Sequence, residues 1–114
     1  MPHFIIECSE AVLDAIPSGQ LMDEVFDTAH ASGLFAIEDI KVRIRSYQTY
    51  RVGTTNSDFL HIFGNIMEGR TTAQKADLSR RIVVRLKELL PDVPILSINI
   101  REFERATYCN RTMV

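Results

Sequence analysis

The chain opens Met1-Pro2-His3-Phe4-Ile5-Ile6-Glu7-Cys8, and its second residue has the most chemical potential. While Met1 is attached, the Pro2 nitrogen is a tertiary amide with no basic lone pair. Removing Met1 makes it a secondary amine, with a pKa near the ~7.7–8 of an α-amino group in water. Burial in an apolar pocket, or cations nearby, disfavour the protonated form and lower that value. A base poised near neutral pH suits proton transfer. Proline is small enough in second position for removal of Met1 to be expected. It is also common there and often idle, so the rest of the chain must decide.

A second group is Lys41, Arg43 and Arg45, which alternate with Ile40, Val42 and Ile44. A strand rises roughly 3.3 Å per residue, which would set three cations on one face within about 14 Å. Such a column repels itself unless carboxylates or a bound anion neutralise it. One reading is a solvated edge face balanced by Glu38 and Asp39; the other is a site for a carboxylate-bearing ligand, which arginine grips in bidentate fashion. Arg70 follows Gly69 at a strand-to-helix turn, where backbone N–H groups and the helix dipole favour anions. Taken alone, a Gly-Arg pair is a weak signal, and a surface arginine without a role is the default. His61 and His3 read as structural histidines. The carboxylates are scattered, and no metal-ligand cluster, Ser-His-Asp logic or Gly-rich phosphate loop is visible.

The elements that would position these residues repeat. Residues 2–8 read as a strand with Phe4, Ile5 and Ile6 in an apolar run. A helix begins between Ser9 and Gly19, with Leu21, Val25 and Ala29 on one face and Gly33 at its C′ position. The alternation from Ile40 to Arg45 is a second strand. Gly53-Thr54-Thr55-Asn56-Ser57 is turn chemistry. Then come a strand over Phe59 to Met67, a Thr N-cap, a helix with Leu78, Ile82, Leu86 and Leu89 in line, closed by Pro91 and Pro94, and a strand from Ile95 to Glu104. The tail from Ala106 to Val114 shows no period. The class is α+β: tandem βαβ units over about residues 2–47 and 58–104 of one domain spanning 1–114, forming a four-stranded mixed sheet with two helices on one face. The first and third strands carry apolar residues on both sides, so the uncovered face needs a partner, and identical subunits are the economical one.

The 114 residues suit one domain, and 46% apolar and 25% charged residues are ordinary for a globular protein. A net charge of −2 gives no reason to expect nucleic acid or an acidic membrane as partner. No apolar run approaches the roughly 20 residues that span a bilayer, and no signal-peptide pattern is seen at the start. Cys8 and Cys109 have neither zinc spacing nor a disulfide framework, which fits a reducing cytoplasm.

Together these pieces resemble the tautomerase superfamily: a proline directly after Met1, a doubled βαβ, and Glu68-Gly69-Arg70-Thr71 followed by Gln74-Lys75. Within it, Pro2-His3-Phe4-Ile5-Ile6-Glu7-Cys8-Ser9 resembles the start of the 5-carboxymethyl-2-hydroxymuconate Δ-isomerase family. The resemblance implies a compact homotrimer with active sites near subunit boundaries. It also implies removal of Met1 and a freed Pro2 that takes the 2-hydroxyl proton of a carboxylate-bearing dienol, a proton then returning at carbon to give the conjugated ketone, with no cofactor or metal needed because cationic side chains hold the carboxylates. By the same resemblance, Arg70 matches the arginine after the glycine, and Arg43 matches an arginine of the isomerase branch. Lys41 stands where relatives usually have arginine, keeping the charge but losing the planar fork. At the corresponding place in the second unit stands Asn99. The alternatives are a related enzyme acting on a different substrate, since fold does not fix substrate, or a catalytically silent trimer that binds carboxylates.

Overall fold

The computed structural model describes residues 1–114. Strand β1 (His3–Ser9) is followed by a single-turn helix α1 (Val12–Ala15), helix α2 (Ser18–Ala31) and strand β2 (Lys41–Tyr47); then come β3 (Phe59–Met67), α3 (Thr72–Leu89) and β4 (Ile95–Phe103). The four strands form one sheet in the order β2-β1-β3-β4. Within each βαβ unit the strands are parallel, β1 with β2 and β3 with β4, while the central pair β1–β3 is antiparallel. The sheet is therefore mixed.

Strict period-2 patterning sets the two faces. Phe4, Ile6 and Cys8 of β1 and Leu60, Ile62 and Ile66 of β3 are wholly buried beneath the helices. They meet Leu21, Val25 and Ala29 of α2 and Leu78, Ile82 and Leu86 of α3, the stripes expected from helical spacing, in one continuous core. Each Val, Leu, Ile or Phe side chain among them contributes about 1.5–3 kcal/mol by leaving water. Outside this core, Arg85 grips Glu24 with two N–H groups, at 2.8 and 3.0 Å, and ties α3 to α2. Cys8 is buried and its thiol is pushed up to about 11 by burial; Cys109 is exposed and both are free.

The first helical segment is broken where a single start was expected. Pro17 separates α1 from α2, since a proline ring clashes with the preceding turn and lacks the donor a continuing helix needs. In α3 the buried residue after Leu86 is Leu90, not Leu89; Leu90 is the C-cap, at φ −129°, and leaves helical geometry there. The tail forms two 3-10 turns, Arg105–Thr107 and Arg111–Met113. The uncovered sheet face is also less apolar than expected. The register makes rows of Lys41–His3–Asn65–Arg101, Arg43–Ile5–Phe63–Asn99 and Arg45–Glu7–His61–Ser97. Ile5 and Phe63 form an apolar centre within a polar frame.

At the far end of the sheet, the buried Ser9 hydroxyl donates to Asp58 at 2.9 Å and accepts the Phe59 N–H at 3.2 Å. This ties the turn between the two units to β1.

Two glycines should respond oppositely to alanine. A Cβ on Gly64 would lie 2.7 Å from Ile100 Cδ1 and 3.3 Å from Phe4 Cε1, whereas one on Gly19 in α2 meets nothing within 4 Å. Gly64→Ala should lower unfolding stability by about 1–3 kcal/mol. Gly19→Ala should raise it by about 0.4–1 kcal/mol. Urea unfolding at matched protein concentration reads both; equal effects of one sign would contradict this packing.

Candidate active site

Because β1 and β2 begin at one edge of the sheet, and β3 and β4 end there, four chain segments converge on it. Pro2 enters at this edge. It is buried, and its carbonyl accepts the Lys41 N–H at 3.1 Å, which docks the start of the chain on the outer strand β2. Phe4, one step inward, meets Phe35 edge-to-face at 6.1 Å.

Arg70 reaches the same edge from the turn between β3 and α3. Gly69 adopts φ 122°, a conformation side chains resist, and makes the reversal possible. Thr71 then closes a reciprocal capping box with Gln74, at 2.8 and 3.1 Å. Between these two devices the Arg70 guanidinium donates to the Leu34 carbonyl at 2.7 Å and to the Met67 carbonyl at 3.4 Å, and lies 5.0 Å over the Phe35 ring. The loop after α2 is thereby fastened to the end of β3. Two of five guanidinium N–H groups are engaged by carbonyls, and no carboxylate neutralises the charge.

The β2 column is likewise without ion pairs. Lys41 Nζ donates to the backbone carbonyl of Asp39 at 2.8 Å, and Arg43 donates to His3 Nδ1 at 3.1 Å. Arg45 lies across from Glu7 in the register, farther from the edge. No ion pair of the fold includes these cations, so Glu38 and Asp39 make no direct pair with them. The His3 ring is held below the ordinary histidine pKa, first by burial and then by Arg43, Lys41 and the chain terminus. With Nδ1 accepting from Arg43, it serves as a neutral prop for the arginine.

The Met1 amine, one residue ahead of Pro2, is lowered from its ordinary value. Burial is the first cause; Arg70, Lys41 and Arg105 act in the same direction, and Asp39 opposes them. Arg105 did not stand out in the sequence, since it opens the stretch where periodicity fades. Its signal was topological: the chain leaving β4 must emerge at the edge where β1 begins. The Glu68 carboxylate accepts its backbone N–H at 2.6 Å, and the Glu68 N–H in turn donates to Phe103 at 3.1 Å.

Beside this edge lies a groove of about 280 Å³, lined by His3, Asn65, Phe103, Glu104, Thr107 and Tyr108. Tyr108 stacks on Phe103 with ring centroids 5.4 Å apart. A larger hollow of about 440 Å³ lies between the helices but is walled by Glu24, Arg85 and Glu88, which already neutralise one another. Asn99 lies across the sheet from Arg43, and its amide oxygen accepts from His61 Nε2 at 2.6 Å, while His61 Nδ1 meets the Ser97 hydroxyl at 2.6 Å. Asn99 is thus committed to β3. The edge therefore combines a terminal amine of lowered basicity, several uncompensated cations and a groove, which suits proton transfer on a carboxylate-bearing molecule.

In the chain lacking Met1, Lys41→Gln and Arg70→Gln should each raise the titration midpoint of the terminal amine, because each removes a cation that disfavours protonation. The pH dependence of N-terminal labelling by NBD chloride, read by peptide mass spectrometry, measures this. Unmoved midpoints in both variants would contradict the electrostatic account.

A family model described as 5-carboxymethyl-2-hydroxymuconate isomerase matches residues 2–114. The 5-carboxymethyl-2-hydroxymuconate Delta-isomerase of Escherichia coli is 26% identical over 89 residues, covering 76% of this chain and 71% of that protein. Among solved structures, Pt0534 inactivated by 2-oxo-3-pentynoate superposes with a TM-score of 0.82 at 17% identity, covering 98% of this chain and 94% of that one. A 5-carboxymethyl-2-hydroxymuconate isomerase from Deinococcus radiodurans R1 gives 0.81 at 19% identity, over 96% and 88% of the two chains. A wild-type fused 4-OT described as a symmetric trimer gives 0.80 at 13% identity, over 98% and 94%. At these identities the structural likenesses establish the fold.

Proposed function

The chain belongs to the 5-carboxymethyl-2-hydroxymuconate isomerase family, and from that premise we propose that this isomerase is a cofactor-free enol-to-keto tautomerase with Pro2 as general base. Its substrate is a carboxylate-bearing dienol of aromatic-acid breakdown, with 5-carboxymethyl-2-hydroxymuconate the one favoured. The observation that carries the reading is the buried Pro2 at the edge that holds Lys41 and Arg70, whose charges no carboxylate pairs and whose field already lowers the amine of Met1 beside it.

Once Met1 is removed, the Pro2 nitrogen has a lone pair. It takes the proton of the substrate's 2-hydroxyl as electron density moves through the diene. A proton is then delivered to the far carbon, the conjugated ketone forms, and the amine ends as it began. No atom is gained or lost, and no electrons leave the substrate. Charge grows on the enol oxygen and its carboxylate during the transfer. Lys41, Arg43 and Arg70 offset that charge from fixed positions, so little reorganisation is needed. Lys41 does this as a point charge, which leaves the bidentate role to the arginines.

The working unit is a homotrimer in the cytoplasm, each subunit a single domain. The support for assembly is the uncovered sheet face with Ile5 and Phe63 at its centre, which water would otherwise meet. The symmetric-trimer form of a protein of this fold agrees. Sedimentation equilibrium should return about three times the 13.0 kDa chain mass; a single-chain mass would overturn the assembly.

Replacing the base tests the chemistry. Pro2→Ala should reduce kcat for enol-to-keto conversion by about 10²-fold or more, the usual share of a general base. Circular dichroism should be unchanged. Full turnover by that variant would end the mechanism, and absence of turnover in the processed wild type would favour a silent carboxylate-binding trimer.

A further inference from the structure

We propose that Arg105, on the turn that follows β4, binds a carboxylate remote from the reacting end of a substrate that carries more than one, the reacting end lying at Pro2. The carbon chain between them would lie in the groove beside His3. This inference rests on the reading of Pro2 as the base and adds to it a residue that sets specificity.

Placement is the first argument. Arg105 opens the turn Arg105–Thr107, and its neighbours Glu104, Thr107 and Tyr108 line the groove whose other wall begins at His3. His3 directly follows Pro2, so the groove begins one residue from the base, and its far wall is the turn that carries Arg105.

The second argument is the contrast between a fixed backbone and a free side chain. The Arg105 N–H is held by Glu68 at 2.6 Å, its carbonyl accepts from Tyr108 N at 3.2 Å, and Tyr108 is stacked on Phe103. Its guanidinium makes no hydrogen bond or ion pair in the fold and is exposed. Five N–H donors on an anchored turn, all uncommitted, match the planar geometry of a carboxylate.

Charge is the third. Arg101, across from Asn65 in the sheet register, adds another cation without an ion pair at the groove margin. The opposing carboxylate is Glu104, which lines the groove itself. A monoanionic substrate held at Lys41 and Arg70 gains little from Arg105. A dianionic one needs it to offset Glu104.

The test compares 2-hydroxymuconate, with two carboxylates, and phenylenolpyruvate, with one, in wild type, Arg105→Gln and Arg105→Lys. With each variant assayed on the plateau of its own pH profile, because Arg105 also acts on the terminal amine, Arg105→Gln should raise KM for the diacid about 10-fold, as the loss of one charge-assisted pair predicts, and leave KM for the monoacid unchanged. Arg105→Lys should recover part of the loss, and Glu104→Gln should lower KM for the diacid. Equal changes on both substrates, or none on either, would overturn the assignment. If the processed wild type turns over neither enol, the base assignment fails separately. Calorimetric binding of the unreactive diacid muconate then reads Arg105 alone: weaker binding in Arg105→Gln supports the site, and equal binding overturns it.

Discussion

The antiparallel pairing of β1 with β3 is the constraint on which the rest depends. Each βαβ unit by itself brings two parallel strand starts to one edge. Joining two units through antiparallel central strands brings the starts of one to the ends of the other. The parallel first unit sets the chain terminus against Lys41, and the antiparallel joining sets it against the turn bearing Arg70 and the tail bearing Arg105. With a parallel central pair, the glycine-arginine turn and the tail would sit at the opposite edge, some 20 Å away for strands of this length at about 3.3 Å per residue.

The electrostatics of that edge come from how its cations are satisfied. Arg70 is ordered by carbonyls and an aromatic ring, Lys41 by a carbonyl, and Arg43 by a histidine nitrogen. None of these partners carries a formal negative charge, so position is gained while the field is kept. Away from it the fold pairs its charges in the ordinary way, as in Arg81–Asp77 and Arg85–Glu24. The difference between the two regions marks the edge as a place for an anion. Burial and this field act in the same direction on the terminal amine, and only Asp39 opposes them.

Much of this was legible in the sequence. Period-2 alternation located β2, β3 and β4 to within a residue or two, and the helical stripes of α2 and α3 are the buried ones except at Leu89, because burial on one face leaves that pattern directly. The Thr71 cap could be read as well, since it is a local device. The break at Pro17 was missed because apolar spacing runs across it. The polar frame of the open face emerged only with strand register, which decides that His61 meets Ser97 and Asn99. Arg105 was hidden for the same reason: its role depends on which strand ends lie together, a long-range property that no local pattern encodes. Pro2, by contrast, was a candidate from its position alone, and the surrounding charges became visible only in three dimensions.

The most direct measurement is an NMR titration of the chain with 15N-labelled proline, after expression under conditions that allow Met1 removal. One proline nitrogen should titrate, with a midpoint below the ~7.7–8 of an ordinary α-amino group. If no proline nitrogen titrates, or if the midpoint lies at or above that range, the buried cationic edge does not prepare Pro2 as a base.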